Sequence, residues 1–184
     1  MCSADLTGGV EQHDLPQGKC IWSTAKAAEG GEPGTSFFRK RIELPDKPTT
    51  ADVIAVVDNS FVLLVNQRNG TAGKNWEEPK FRNLAKRFKQ GENLVTVLAT
   101  NEGSGKNPAG LWLGIRFQFA DGSTMDVVSD KSWKVSTDGS DGWNKPEFDD
   151  TTWLSASELG GADMAPWGLR SEERRVGKEC RSRW

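Results

Sequence analysis

Hydrophobic and polar residues alternate along most of the chain between Ile21 and Val135, so the pattern repeats every two positions rather than every 3.6. The alternation is clearest over residues 112–119. One face of this segment carries Leu113, Ile115, Phe117 and Phe119, and the other carries Trp112, Gly114, Arg116 and Gln118. Because successive side chains of a strand point to opposite sides, this pattern predicts a strand with one face in a core.

The same period predicts further short strands, which are separated by turn-forming residues. They cover residues 35–44, 51–57, 61–65 and 94–100. Asp121-Gly122 joins the 112–119 strand to residues 124–128, and Asp-Gly between two alternating runs is a strong hairpin signal. Residues 83–91 can form only one or two helical turns. Many short strands about ten residues apart predict an all-β fold, a jelly-roll β-sandwich.

Composition narrows the function classes. The 184 residues include 8 Trp, 8 Phe, no Tyr and a single histidine, His13, so histidine-based catalysis is disfavoured. Apolar runs near 18 residues are missing, so no membrane span is expected. A basic stretch at residues 170–184 would suggest a nucleic-acid or membrane partner, but its origin, described next, argues against both.

The two ends of the chain differ from its middle. Residues 170–184 carry six basic and three acidic side chains, a net charge of +3, against −5 for the rest. Codon for codon, this tail looks like the translation of a sequencing adapter, so we expect it to be non-native. We predict a disordered leader or linker at residues 1–19 and one domain at residues 20–169. Without the tail's Cys180, Cys2 and Cys20 either pair or remain as two thiols.

Seven short motifs, read in order, resemble a known kind of domain. They are Phe37-Phe38-Arg39-Lys40, Asp58-Asn59-Ser60, Gly91-Glu92-Asn93, Pro108-Ala109-Gly110-Leu111, residues 129–134, residues 148–153 and Ala165-Pro166-Trp167-Gly168. Together they are similar to the non-catalytic sugar-binding β-sandwich of glycoside hydrolase family 2 and to accessory domains of α-L-rhamnosidases, in planctomycete-type versions. The resemblance implies a galactose-binding-domain-like fold in a larger multidomain, extracytoplasmic hydrolase or related protein.

One departure from the resembled pattern concerns a turn. Where that family usually has Asn-Gly after the second apolar strand, this chain has Asn66-Gln67. Glycine takes positive φ at little cost, so the turn is either displaced to Asn69-Gly70 or carried by Asn66 alone.

Catalytic chemistry is not indicated within the predicted domain. Asp149 and Asp150 are adjacent and would point to opposite faces of a strand, which does not suit the carboxylate pair of a glycosidase. The resemblance instead gives them a structural role beside Trp153. We therefore expect no enzyme activity and no cofactor, although Asp130, Asp138, Asp141 or the Asp58-Asn59 turn could supply oxygen ligands for a structural Ca²⁺.

Candidate ligand-binding residues are sought among aromatic and amide side chains, because sugars stack on aromatic faces and hydrogen bond to a few placed polar groups. The candidates are Trp76, Trp112, Arg68, Asn66 and Asn101. Trp133, Trp153 and Trp167 lie in fold motifs and are assigned to the core. The favoured hypothesis is a non-catalytic, carbohydrate-binding accessory module. The alternative is a structural or interaction domain that orients neighbouring domains and binds no sugar.

Overall fold

The computed structural model describes residues 15–161 and Met164. Predictions about His13, Cys2, Cys180, Trp167 and the tail at residues 170–184 lie outside these residues. The described part contains one short helix, α1 (Ala27–Gly30), a 3₁₀ turn (Ala85–Arg87) and twelve strands. The strands are β1 (Lys19–Trp22), β2 (Gly34–Leu44), β3 (Thr50–Asp58), β4 (Ser60–Val65), β5 (Arg68–Gly73), β6 (Lys80–Asn83), β7 (Gly91–Asn101), β8 (Gly110–Gln118), β9 (Thr124–Val128), β10 (Lys134–Ser136), β11 (Leu154–Ser155) and β12 (Ser157–Gly161).

The strands form two antiparallel sheets that face each other. Sheet 1 has the order β12-β1-β8-β3-β6. Strand β9 also pairs with β8, along the same edge as β1 but farther along β8. Sheet 2 has the order β11-β10-β2-β7-β4-β5. The prediction of an all-β sandwich is confirmed. The predicted hairpin is also confirmed, because β8 pairs with β9 from Gln118↔Thr124 onward and Gly122 in the connecting turn has φ 84°.

One core fills the space between the sheets, and the alternation along each strand decides which side chains enter it. Leu113, Ile115 and Phe117 of β8 are fully buried there, opposite Val95, Val97 and Ala99 of β7. Trp133 lies at the edge of this core and is completely buried, and its indole Nε1 donates to the carbonyl oxygen of Val128. Burial of so many aliphatic and aromatic side chains supplies the main free energy of folding.

A short segment ahead of β1 packs across the outer face of sheet 1, although the sequence assigns residues 1–19 to a leader. Leu15 is buried against Ile54, Val56 and Trp112, and the Trp112 indole Nε1 donates to the carbonyl oxygen of Gly18 at 3.2 Å. We call residues 15–18 the strap. Gly114 makes the crossing feasible, because a Cβ at that position would overlap the carbonyl oxygen of Pro16. The packed structure therefore begins before the expected boundary at residue 20.

Ser129 closes the junction where β1 and β9 meet along β8. Its hydroxyl donates to the carbonyl oxygen of Lys19 at 2.6 Å and accepts from the amide of Leu113 at 3.0 Å. Its own backbone also bonds to Leu113 and Lys19. The Ser129 hydroxyl is fully buried, but its burial costs little because it both donates and accepts a hydrogen bond. These two bonds take the place of strand-to-strand hydrogen bonds that are missing in the gap between β1 and β9.

A segment without strand structure, residues 137–153, covers the outer face of β2 and is held there by Arg39. The Arg39 side chain is 1% exposed, and its Nε lies 2.7 Å from a carboxylate oxygen of Asp150. Its guanidinium also donates to the carbonyl oxygens of Trp143, Lys145 and Phe148. The rings of Phe148 and Trp153 lie 5.2 and 5.9 Å from the guanidinium carbon, within the range of a cation–π contact.

The turn between β4 and β5 differs from both sequence-based solutions. It stays at Asn66-Gln67, and both residues take positive φ, 49° and 65°. A two-residue hairpin with two left-handed positions matches the twist of the strands, which explains why the turn is not displaced to Asn69-Gly70. Asn66 tolerates this backbone through its side-chain hydrogen bonds, whereas exposed Gln67 has no such support among the described residues.

The substitution Gln67→Gly should raise the free energy of unfolding by roughly 0.5 kcal/mol, measured by urea denaturation. Left-handed backbone costs a non-glycine residue about 1–2 kcal/mol, and the greater freedom of glycine in the unfolded chain cancels part of that gain. Asn66→Gly is the matched control. This substitution also relieves the strain of a left-handed backbone, but it removes three side-chain hydrogen bonds, so it should lower the free energy of unfolding. A destabilising Gln67→Gly would contradict the assignment of this turn.

The substitution Arg39→Ala should lower the free energy of unfolding by about 3 kcal/mol, because a buried ion pair loses one partner and three carbonyl oxygens lose their donor. Arg39→Lys should recover only part of the loss, since a single ammonium cannot reach all of these acceptors. Arg41→Ala on the same strand is the control. Arg41 is 40% exposed, pairs with Glu92 and donates to the carbonyl oxygen of Pro146 at 2.6 Å; because these contacts are exposed to solvent, its loss should cost about 1 kcal/mol. Equal effects of Arg39→Ala and Arg41→Ala would refute the role of Arg39.

Candidate functional site

The five residues proposed from the sequence do not form one site. Asn66 follows the last residue of β4, whereas Asn101 ends β7 beside the first residue of β4. The six residues of β4 separate them by about 20 Å. Trp76 and Trp112 belong to the outer face of sheet 1, and Arg68 is exposed at the start of β5 in sheet 2.

Asn66 stabilises a turn. Its Nδ2 donates to the carbonyl oxygen of Arg87 and to Oδ1 of Asn93, each at 2.9 Å, and its Oδ1 accepts from the amide of Leu94. All three bonds are to this chain, so they fix the β4–β5 turn against the start of β7. Asn93 is buried, and its own amide continues the network to Lys89 and Gly91.

The two tryptophans of sheet 1 are largely covered. Trp112 is 4% exposed beneath the strap, and Trp76 is half-buried against the same cluster. Arg116, on the same face of β8 as Trp112, forms a two-point ion pair with Asp126 of β9, with nitrogen–oxygen distances of 2.9 and 2.8 Å. Trp112 thus belongs to a second, smaller hydrophobic cluster on the outer face of sheet 1, whereas Gln118 on the same face of β8 is exposed.

Asp149 and Asp150 hold the segment 137–153 in place. The Asp149 carboxylate accepts from the amide of Thr151 at 3.0 Å, and hydrogen bonds from Thr151 lower the pKa of Asp149. Asp150 pairs with Arg39. These contacts agree with the structural role that the resemblance implies for both carboxylates.

The structure brings together a different set of residues at one end of the sandwich. At this end β1, β3 and β7 finish while β2, β4 and β8 begin, as the pairs Gly34↔Asn101, Ser60↔Thr100 and Asp58↔Gly110 show. We call it the loop end. The connections that meet here are residues 23–33, the turn at Asn59, residues 102–109 and the segment 137–153.

A cleft of about 550 Å³ opens at the loop end, and we call it the loop-end cleft. Its walls are apolar or hydroxylated. The lining residues are Trp22, Ser23, Thr24, Glu32, Pro33, Gly34, Thr35, Ser36, Val135, Ser136, Thr137, Thr152, Trp153 and Leu154. Trp22 and Trp153 are buried, whereas Leu154 is 68% exposed at the rim. Ligand sites commonly combine such apolar walls with a few placed polar groups, and this volume lies within their usual range.

Beside the cleft lies a group of amide and carboxylate side chains that we call the polar corner, formed by Asp58, Asn59, Asn101, Glu102 and Asn107. Asn101 is 1% exposed, and its Nδ2 donates to the carbonyl oxygens of Gly31 and Glu32 at 3.2 Å each. Its Oδ1 is buried and has no hydrogen-bond partner among the described residues. A buried amide oxygen left without a partner is costly, so it marks a position suited to a ligand atom.

The rest of the polar corner fixes the surrounding loops. The Asn59 side chain accepts from the amide of Glu102 at 2.7 Å, while the Ser60 hydroxyl donates to the Glu102 carboxylate at 2.8 Å. Asn107 Nδ2 donates to the carbonyl oxygens of Glu102 and Gly105 at 3.0 Å each. Glu32 links the two features, because it lines the cleft and its carbonyl oxygen accepts from Asn101 Nδ2.

The carboxylates considered as calcium ligands differ in their surroundings. Asp130 accepts from Ser132, and Asp138 accepts from the Ser140 hydroxyl, so both organise exposed turns. Within residues 15–161, the structure contains no group of three or more His, Cys, Asp and Glu side chains that could hold a metal ion.

Cys20 lies on β1, outside the lining of the loop-end cleft. It is 3% exposed and forms no disulfide. Burial, with a smaller contribution from Asp58, raises the pKa of the Cys20 thiol to about 12. The thiol is therefore protonated at neutral pH and packs as a small apolar side chain.

Comparison with known proteins places this chain next to carbohydrate-active proteins. It is 30% identical over 168 residues to an α-L-rhamnosidase of Streptomyces avermitilis, and the match covers 86% of this chain but 16% of that protein. The solved structure of the S. avermitilis α-L-rhamnosidase in complex with L-rhamnose superposes with a TM-score of 0.75 and 27% identity, covering 83% of this chain and 16% of that one. No family model matches the chain.

A fungal lectin gives a second match. The Pleurotus ostreatus lectin in complex with GalNAc has a TM-score of 0.73 and 25% identity, covering 84% of this chain and 46% of the lectin. The rhamnosidase of Bacillus sp. GL1, at 22% identity and a TM-score of 0.68, supports the fold alone. The chain is thus a galactose-binding-like β-sandwich that resembles an accessory domain of α-L-rhamnosidases, which confirms the resemblance inferred from its motifs. It spans 16% of the length of the matched rhamnosidase.

Proposed function

We propose that this domain is a non-catalytic, carbohydrate-binding accessory module of a larger extracytoplasmic hydrolase, and that the sugar binds in the loop-end cleft. The observation that carries the proposal is the cleft itself, which combines apolar walls with seven hydroxyl side chains. The similar structures include complexes with L-rhamnose and GalNAc, which supports a sugar as the ligand class. Among the described residues, no helix is long and apolar enough to cross a membrane.

The chemistry of the cleft suits a sugar better than a flat apolar ligand. Hydroxyl groups both donate and accept, so Ser and Thr side chains can match the hydroxyls of a pyranose in several orientations. The exposed part of Leu154 and the ring of Pro33 offer apolar surface for the C–H face of the sugar. Two wall residues, Trp22 and Val135, belong to the main core, and Trp153 is buried against Phe148 and Arg39.

The alternative function is an interaction domain that orients its neighbours and binds no sugar. The observation in its favour is the burial of Trp112 under the strap, because it removes one of the two aromatic side chains proposed as a sugar platform on sheet 1. The burial of Trp112 concerns sheet 1 only, so it does not argue against sugar binding in the loop-end cleft.

Isothermal titration with neutral sugars, including L-rhamnose and GalNAc, should detect binding to the domain. Leu154→Ala should weaken binding about fivefold, because roughly 1 kcal/mol of apolar contact is lost at the rim. Val62→Ala is the matched control, since Val62 is also an exposed aliphatic residue, at 42%, but it does not line the cleft. Both variants should unfold at the temperature of the parent chain.

Three outcomes distinguish sugar binding in the cleft, sugar binding at the polar corner and an interaction domain that binds no sugar. Binding that falls in Leu154→Ala and not in Val62→Ala supports the cleft. Binding that is insensitive to Leu154→Ala but lost in Asn101→Ala would move the site to the polar corner. No heat of binding with any sugar would leave the interaction domain as the function.

We also propose that the polar corner accepts a calcium ion. The support is the buried, unpartnered Oδ1 of Asn101, which lies at the same corner as the carboxylates of Asp58 and Glu102, since Ca²⁺ takes six to eight oxygen ligands from carboxylates, amides and backbone carbonyls. Asp58 and Glu102 would supply negative charge. A bound ion would fix residues 31–32 and 102–107, which border the cleft.

Calcium at about 10 mM, added to chelator-treated protein, should raise the melting temperature by about 3–5 °C. For a dissociation constant of about 1 mM, typical of weak extracellular modules, the gain is about 1.4 kcal/mol. The calcium-dependent rise in melting temperature should vanish in Asn101→Ala. It should persist in Asn75→Ala, because Asn75 is exposed and lies outside the polar corner. An unchanged melting temperature in the parent chain would rule the cation out.

A further inference from the structure

Positive charge is concentrated in one short stretch of an otherwise acidic chain. Residues 80–90 contain five Lys and Arg side chains and no Asp or Glu, whereas residues 1–169 carry a net charge of −5. Lys80 pairs with Glu78, but the other four cations of the stretch form no ion pair with any carboxylate of the described residues, and neither does the nearby Arg68. These five side chains are exposed, and we call them the basic edge: Arg68, Arg82, Lys86, Arg87 and Lys89.

The fold brings Arg68 of sheet 2 next to this stretch of sheet 1. Arg87 Nε donates to the carbonyl oxygen of Asn69 at 3.1 Å, and a Cβ at Gly70 would lie 3.0 Å from a methyl carbon of Leu84. The start of β5 is thus in contact with residues 84–87, and the cations of both sheets share one side of the sandwich.

The pairing of the strands directs two arginines toward each other at this side. Arg82 of β6 lies opposite Val53, and Arg68 of β5 lies opposite Val65. Both valines are in the main core, and paired residues share a face of their sheet, so both arginines lie on the faces that look between the sheets. Strands β5 and β6 are the last strands of their sheets, so these positions are open to solvent there.

Carboxylates border the basic edge without entering it. Asp52 is adjacent to Val53 on β3, so it lies on the outer face of sheet 1, away from Arg82. On the β2 side, Glu43 lies opposite Glu92, which pairs with Arg41. The basic edge therefore ends near Lys89, and its centre is formed by Arg68, Lys86 and Arg87.

We propose that the basic edge binds an acidic polysaccharide, a polymer that carries carboxylate or sulfate groups, as a second site separate from the loop-end cleft. The two sites lie at opposite ends of β4, about 20 Å apart. The choice of a polysaccharide over other polyanions rests on the proposed carbohydrate function, whereas the charges themselves require only a ligand with repeated anionic groups.

The side chains of the basic edge suit such a polymer better than a single anion. A guanidinium presents paired N–H donors that fit a carboxylate or sulfate at two points, and Arg87 uses only its Nε within the described residues. One exposed contact of this kind is worth at most about fivefold in affinity, so a lone acidic sugar would bind weakly. A polymer that reaches several cations at once gains from all of them together.

The experiment titrates the full chain with polygalacturonate, dextran sulfate and neutral dextran at low salt and at about 1 M salt. At least one acidic polymer should bind at low salt, and its binding should be lost at high salt, where the screening length is only about 3 Å. Binding of polygalacturonate alone assigns carboxylate groups as the ligand, and binding of dextran sulfate alone assigns sulfate groups. Galacturonic acid as a monomer should show no salt-sensitive binding.

Two double variants of equal net charge locate the binding. Arg68→Gln with Lys86→Gln should weaken polymer binding at least about fivefold, because two central contacts are lost. Lys26→Gln with Lys131→Gln removes two exposed cations outside the basic edge and should leave binding unchanged. Both variants keep residues 170–184, so the charge of that tail cannot explain a difference between them. Both should unfold at the temperature of the parent chain.

The outcomes for the basic edge and for the loop-end cleft can be told apart. If no acidic polymer binds, or if the two double variants lose equal affinity, the proposal for the basic edge is wrong, and neutral sugars can still bind in the cleft. If a DNA oligomer binds the basic edge as tightly as the acidic polymers, a polysaccharide is the wrong partner. If acidic polymers bind there while no neutral sugar binds the parent chain, the proposed cleft fails and the basic edge stands.

Discussion

The ion pair between Arg39 and Asp150 is the constraint on which the loop end depends. Residues 137–153 lack strand structure, so their position over β2 must come from side-chain and carbonyl contacts rather than from a ladder. Arg39 supplies these contacts from the interior of a strand, where its backbone is fixed by pairs to β7 and β10. Thr152, Trp153 and Leu154, which form one wall of the cleft, directly follow the carboxylate that Arg39 holds.

Much of the fold is predictable from local pattern. Residues 112–119 alternate cleanly because one side of β8 faces the main core, and Asp121-Gly122 reports the hairpin because a left-handed turn favours glycine. The strap is not predictable in this way. Leu15 lies in a polar stretch without period, and its burial depends on Gly114, a residue 99 positions later that leaves room for Pro16. Because the strap cannot be predicted, the sequence alone suggests that Trp112, which the strap covers, is exposed.

The candidate site was less predictable than the fold. A search for isolated aromatic and amide side chains finds Asn101. Only the structure shows that its side-chain oxygen is both buried and without a hydrogen-bond partner among the described residues. It also finds Asn66, at the opposite end of the sandwich, because spacing along the chain does not reveal which loops meet. The cleft is assembled from four separate stretches, near residues 22–24, 32–36, 135–137 and 152–154, and most of its polar groups are ordinary Ser and Thr. Only the arrangement of strands brings these stretches together.

The pairing of β1 with β12 joins two distant parts of the chain at one edge of sheet 1. Lys19 lies opposite Gly161, whereas Trp22 lies opposite Ser157 and lines the cleft. The first residue of β1 and the last residue of β12 therefore lie side by side at the end of the sheet away from the cleft. Neither of them borders the opening of the cleft, so the two strands that complete this edge of the sandwich leave the opening free.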